Sequence, residues 1–207
     1  MNRVQFLCAR ILRQEAPLAG LSVTQQALLS ALAGKSVAVI GNARALANAT
    51  FGADIDSHDI VIRINRAPMP DAVSHGSKTD WLALATNLSS ADRLRINAAT
   101  YLWMSHKRKR LDWATATSNG FYLHPLAQYH AMKDRLGRQP TTGAMMIDLV
   151  AKSGAREINL YGFDFFSSLS LSGRRTADDV PHDFDAEAQF VRNLAETDQR
   201  VTLHPMK

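Results

Sequence analysis

The sequence holds 207 residues, 46% of them hydrophobic and 21% charged, which excludes a disordered or fibrous chain. Its formal charge of +5 and pI near 9.6 point to an anionic partner, whether nucleic acid, an acidic membrane surface or a phosphorylated small molecule. Cys8 is the only cysteine, so no intramolecular disulfide forms and a cytoplasmic setting is expected.

The length suits one domain with an appended helical arm, an arm over residues 1–33 and a main domain over 34–207. In the arm, Val4, Leu7, Ile11 and Leu12 recur at helical spacing among Arg3, Arg10 and Arg13. Such a helix either packs on the domain or lies on an anionic membrane. No apolar run is long enough to span a bilayer, and the first residues lack a signal-peptide core, so neither insertion nor secretion is expected.

After Gly34, the run Ser36-Val-Ala-Val-Ile-Gly41 reads as a buried first strand. Further short apolar runs at Ile60 to Ile64, Trp81 to Ala85, Thr100 to Met104, Gly120 to Leu123, Ile158 to Tyr161 and Val201 to Leu203 predict strands. Helical spacing appears between them at Ser90 to Asn97, Leu126 to Leu136, Gly143 to Lys152 and Asp183 to Glu196. This alternation predicts an α/β fold, a single Rossmann-like sheet with helices on both faces. Ligands of such sheets bind beyond the carboxyl ends of the strands, which directs attention to the loops opened by Gly41, Asn65 and Gly162.

Several segments are candidates for chemistry. Gly41-Asn42-Ala43 is a turn in which a missing Cβ would let a nucleotide approach, or in which glycine merely ends a strand; neither a G-x-G-x-x-G nor a P-loop pattern is present. Pro140-Thr141-Thr142-Gly143 precedes an apolar helix, so a threonine caps it and the first amides form an anion site. His182 stands at the mouth of another helix as a general base near neutral pH, with Asp183, Asp185 and Glu187 placed to orient it. Asp54-Ile55-Asp56 and Asp183-Phe184-Asp185 invite a metal reading, but turn and N-cap roles are preferred. The run His106-Lys107-Arg108-Lys109-Arg110 is a solvated charge run or a contact for an anionic glycan, membrane or nucleic acid. No aromatics interleave with it, which makes nucleic acid an unlikely partner.

Together these segments resemble the animal-type sialyltransferases, glycosyltransferase family 29. Their long motif is similar to Val37-Ala-Val-Ile-Gly-Asn42, Phe51-Gly-Ala-Asp-Ile-Asp-Ser-His-Asp59 and Ile62-Arg-Ile-Asn-Arg-Ala-Pro68. Their short motif is similar to Pro140 to Gly143 with Ile158-Asn-Leu-Tyr-Gly-Phe163, and their last motif to His182-Asp-Phe-Asp-Ala-Glu187. The resemblance implies a GT-A-type variant fold, a CMP-sialic acid donor, a glycan acceptor, inversion at the anomeric carbon and no metal cofactor. It implies that Gly41, Asn42 and Asn65 hold the cytidine monophosphate, and that Thr141, Thr142 and Gly143 contact the phosphate or the sugar carboxylate. Gly162 and Phe163 then lie against the nucleotide, and the catalytic residues are His182, as base, and Glu187. Arg63 and Arg66 suit a doubly anionic donor. The chain departs from animal members in lacking their disulfide cysteines and in having no histidine between Ser167 and Val180, where Arg174 or Arg175 is the available substitute. A bacterial surface glycan is the expected acceptor; a CMP-Kdo transferase and a non-catalytic CMP-sugar-binding module are the alternatives.

Overall fold

The computed structural model describes residues 1–165 and 181–206. Three helices lead in, α1 (Arg3–Ile11), α2 (Glu15–Ala19) and α3 (Gln25–Ser30), followed by β1 (Ser36–Ile40), α4 (Gly52–Ser57), β2 (Ile60–Ile64), α5 (Ala72–His75) and β3 (Trp81–Leu84). Then come α6 (Ser90–Ile96), β4 (Thr100–Trp103), α7 (Trp113–Ala116), β5 (Tyr122–Leu123), α8 (Leu126–Leu136), α9 (Thr142–Ala151), β6 (Glu157–Tyr161), α10 (Phe184–Thr197) and β7 (Val201–Leu203). Single 3-10 turns occupy Arg44–Asn48 and Arg108–Arg110.

The described strands form one sheet in the order β5-β4-β3-β2-β1-β6-β7, with every neighbouring pair parallel. Its strands are apolar runs rather than alternating ones because both faces are covered. Successive residues of β1 show this: Val37 and Val39 point into a core shared with Leu28, Leu32, Met146 and Val150, while Ala38 and Ile40 point the other way onto Leu46 and Ile55. The order reverses at β1, whose two neighbours are β2 and β6, and this places the topological switch point beside the ends of β1 and β6.

Residues 1–33 pack on both faces. Phe6, Ala9 and Leu18 join Leu82, Leu84 and Trp103 in one core cluster, while Leu28 and Leu32 join the other. A buried cation holds this packing in register. Arg108, 2% exposed, donates to the carbonyls of Ser105 and His124 and pairs with Glu15 at the start of α2. No helix among the described residues is long and apolar enough to cross a membrane.

All seven strands fall where the apolar runs predict, with one shortened. The run from Gly120 begins its strand at Tyr122, because Gly120 adopts φ +66° and the Phe121 amide closes a turn onto the Ser118 carbonyl. The short helices α4, α5 and α7 carry no readable period, and α5 and α7 are set by local caps instead. Asp71 accepts from the Val73 amide and Asp112 from the Thr115 amide.

A tight constraint on the backbone lies at the switch point. A Cβ on Gly41 would stand 2.2 Å from the carbonyl oxygen of Gly162, and Gly162 itself has φ +70°. The space that glycine opens at position 41 is therefore filled by the β6 loop rather than left for a ligand, which corrects the reason the turn suggests. Gly41→Ala is expected to lower stability by about 1–3 kcal/mol, the usual cost of overpacking. Gly154→Ala, whose Cβ would meet Ala33 at an ordinary 3.6 Å, is the control, and denaturant midpoints of the two variants check the contrast.

Candidate active site

A cleft of about 300 Å³ opens at the switch point and crosses the carboxyl ends of β1, β2, β3, β4 and β6. All ten site residues named from the sequence line it, from Gly41 through Glu187. They come from the loops after β1, β2 and β6 and from the starts of α9 and α10.

Asn42 and Asn65 follow β1 and β2. The Asn42 Nδ2 donates to the Ile64 carbonyl at 3.1 Å, which leaves Oδ1 as the end able to meet a ligand. Asn65, in a left-handed conformation at φ 54°, has the opposite assignment: its Oδ1 accepts from the Ala85 amide at 2.8 Å and Nδ2 remains for a ligand. Backbone partners decide both amide orientations, so the cleft presents one acceptor and one donor from paired loops. Phe163 lines the same cleft. Its ring would lie 2.9 Å from a Cβ on Gly143, so that glycine too is required by packing.

Thr141 caps α9, accepting from the Ala144 amide at 3.1 Å through its hydroxyl oxygen. Both carboxylate oxygens of Glu187 in turn accept from Thr141, one from its amide and one from its hydroxyl, each at 2.6 Å. With Thr141 and Ala144 satisfied inside the protein, the amides of Thr142 and Gly143 are those the helix end directs toward a ligand. Glu187 is 4% exposed, and burial pushes its pKa up to about 7 against the lowering effect of the Thr141 bonds.

His182 is oriented by a partner that the sequence does not suggest. Its Nδ1 lies 2.7 Å from the Gln139 carbonyl, which only accepts, so Nδ1 carries the proton and Nε2 holds the free lone pair. Burial lowers the ring's pKa from the ordinary histidine value, and nearby Lys107 adds to this, while the Gln139 bond opposes it. The ring is neutral and basic at neutral pH. The carboxylates expected to orient it are engaged elsewhere: Asp183 caps α10 by accepting from the Ala186 amide, and Glu187 holds Thr141.

The other sequence candidates separate from the cleft. Asp56 accepts from the Ser77 and Lys78 amides and from the Ser77 hydroxyl, a loop-bracing role. Arg63, 1% exposed, donates to the carbonyls of Lys78 and His75, and burial pushes its pKa down to about 10. It supports the sheet and does not line the cleft. Arg66 is exposed and lies outside the lining too. Arg174 and Arg175 lie outside the described residues. Conversely, Ser105, His106, Tyr129 and Phe184 line the cleft and were not assigned to it from sequence; His106 stood out only as part of a charge run.

The strand order and the cleft at its reversal define a Rossmann-like α/β domain with its ligand site at the switch point. Residues 12–91 match the model of glycosyltransferase family 29 (sialyltransferase). It is 29% identical over 159 residues to CMP-N-acetylneuraminate-beta-galactosamide-alpha-2,3-sialyltransferase 1 of Gallus gallus, covering 61% of this chain and 43% of that protein. The Homo sapiens protein of the same name is 27% identical over 151 residues with the same coverage. The chain thus matches under half the length of these relatives. Among solved structures, a mammalian sialyltransferase in complex with Gal-beta-1-3GalNAc-ortho-nitrophenol superposes with a TM-score of 0.61 at 19% identity, covering 99% of this chain and 85% of that one. The sialyltransferase CstII from Campylobacter jejuni in complex with cytidine-5'-monophosphate superposes with a TM-score of 0.55 at 15% identity, over 83% and 80%. Both share the fold.

The elevated Glu187 pKa has a thermodynamic signature. An acid whose pKa rises on folding, here from 4.5 to about 7, binds its proton more tightly in the native state. Stability from this group is greatest below the unfolded value and falls as pH climbs toward the folded one. Glu187→Gln is expected to flatten melting temperature between about pH 4.5 and 7, and an unchanged slope would remove Glu187 as its source.

Proposed function

We propose that this protein transfers sialic acid from CMP-sialic acid to a hydroxyl of an acceptor glycan, with inversion and without a metal ion. The single observation that carries the reading is His182, fixed as a neutral base by Gln139 in the cleft that also holds the α9 amides. The match of residues 12–91 to the sialyltransferase family model supports the donor class.

In this mechanism the acceptor hydroxyl donates its proton to Nε2 of His182 as its oxygen attacks the anomeric carbon. The bond from that carbon to the phosphate oxygen breaks, and CMP leaves with the electron pair. The proton stays on the imidazole, whose Nδ1–H keeps its bond to Gln139. One displacement inverts the centre. CMP is a stable anion, so the departing charge needs hydrogen-bond donors more than a Lewis acid, and the Thr142 and Gly143 amides at the positive end of α9 supply them. Asn42 and Asn65 hold the nucleotide, with Gly162 and Phe163 against it, while Glu187 acts through Thr141 as a positioning residue. The engagement of Asp56 and Asp183 in loop and cap bonds supports metal independence. The one sheet formed by the described strands supports the GT-A-type reading.

Calorimetric titration with CMP and CMP-sialic acid in the presence of EDTA tests the donor. Binding of both is expected; preference for CMP-Kdo over CMP-sialic acid would transfer the assignment to the Kdo class. With a β-galactosamide acceptor, the class named for the avian and human relatives, His182→Ala is expected to keep donor affinity and lose about 10²–10⁴ in kcat. The wild-type rate should rise with pH through a value below 6.5, the direction in which His182 is shifted. Full turnover by the variant would rule out the base.

We also propose that α1 rests on an anionic membrane surface. Val4, Leu7, Ile11 and Leu12 are 70%, 45%, 50% and 66% exposed, beside exposed Arg3, Arg13, Lys109 and Arg110. Leu7→Glu with Ile11→Glu should release the protein from phosphatidylglycerol vesicles in a flotation assay, whereas undiminished flotation would exclude this face.

A further inference from the structure

The basic run after β4 divides into parts with different surroundings. Arg108 turns inward to Glu15, while Lys109 and Arg110 face solvent. His106 enters the cleft. Neighbouring strands lie about 4.8 Å apart, so His106 at the end of β4 stands roughly 14 Å along the sheet from Gly41 at the end of β1. The cleft therefore has a far end, roughly 10 Å from Asn65 after β2 and farther from Asn42 after β1.

That far end is built. The His106 ring lies against Tyr129 of α8, centroids 4.5 Å apart at 31°. The Lys107 amide donates to the Ser105 hydroxyl at 3.1 Å and fixes the turn that carries the ring. The cations acting on the ring are Lys107 and Arg108 from its own loop and Lys133 from α8. Burial first, and these charges next, hold the imidazole below the ordinary histidine range, so it is neutral and retains an N–H to donate. A neutral donor in a cationic field suits an incoming oxyanion, which strengthens the hydrogen bond and relieves the repulsion.

The other end of the cleft is less hospitable to a second anion. The Thr141 amide is already taken, and the carboxylate that takes it, Glu187, lies beside the same helix end. A sugar nucleotide of the proposed class carries two oxyanions, the phosphate and the sugar carboxylate. We propose that one of them binds against His106 and Tyr129, apart from the position offered by the Thr142 and Gly143 amides. This assignment rests on the donor reading above.

Dissociation constants of cytidine, CMP and CMP-sialic acid for wild type, His106→Gln and His106→Ala test it. Removing a hydrogen bond to a charged group is expected to cost about 10- to 100-fold in affinity, with Gln, which keeps an N–H, losing less than Ala. A loss shared by CMP and CMP-sialic acid and absent for cytidine assigns the phosphate; a loss confined to CMP-sialic acid assigns the carboxylate. Equal losses for all three ligands, or none, overturn the proposal. If the wild type binds none of the three, the donor reading fails, and the His106 ring is then followed by NMR during titration with inorganic phosphate. A ring that shifts and gains basicity keeps the oxyanion subsite, and a silent ring removes it.

Discussion

Two backbones meet at the switch point with no room for a side chain between them, and the site is arranged around that meeting. Gly41 needs its bare Cα because of the Gly162 carbonyl, and Gly162 needs its positive φ to bring that carbonyl there. The same loop carries Phe163, whose ring takes the space where Gly143 would otherwise have a Cβ. Three glycines and one aromatic ring thus close a steric circuit through the ends of β1 and β6 and the start of α9. Asn42 hangs from one side of this circuit and the α9 amides from another, so their separation is set by packing rather than by any ligand.

A second set of ties runs from the start of α10 to the segment before α9. His182 is bonded to the Gln139 carbonyl and Glu187 to both donors of Thr141. His182 and Glu187 are thereby fastened to residues two apart in the chain, Gln139 and Thr141. Ionising Glu187 in a buried place is costly, yet its removal would leave the Thr141 amide without its partner. That tension between desolvation and hydrogen bonding explains why its pKa sits near neutrality.

Much of this architecture is legible in the sequence, for a physical reason. Strands covered on both faces must be apolar throughout, so runs such as Ser36 to Ile40 announce themselves, and long helices such as α8 and α9 show their period. Helices of four to six residues show none, and Asp71 or Asp112 caps them without a pattern that distinguishes them from turns. At the site, residue identities follow from the family resemblance, but their bonding does not. The orientation of His182 comes from a backbone carbonyl, which no side-chain pattern encodes, and the Glu187–Thr141 pair spans 46 positions. Arg63 looked suited to an anionic donor by charge alone; its carbonyl partners lie within the β2–β3 connection. His106 was hidden among its basic neighbours because charge runs are usually solvated.

Arg108 lies between His106 and Lys109, and its guanidinium is clamped inside the protein by Glu15 and two carbonyls. Arg10 of α1 adds a bond to the Leu111 carbonyl a few residues on, at 2.9 Å. The far rim of the cleft and the N-terminal helices are therefore one mechanical piece with no hinge between them. Whatever surface α1 rests on fixes the azimuth and tilt of the cleft mouth relative to that surface. For a hydroxyl displayed on an anchored molecule, encounter then becomes a search in two dimensions with the orientation already chosen.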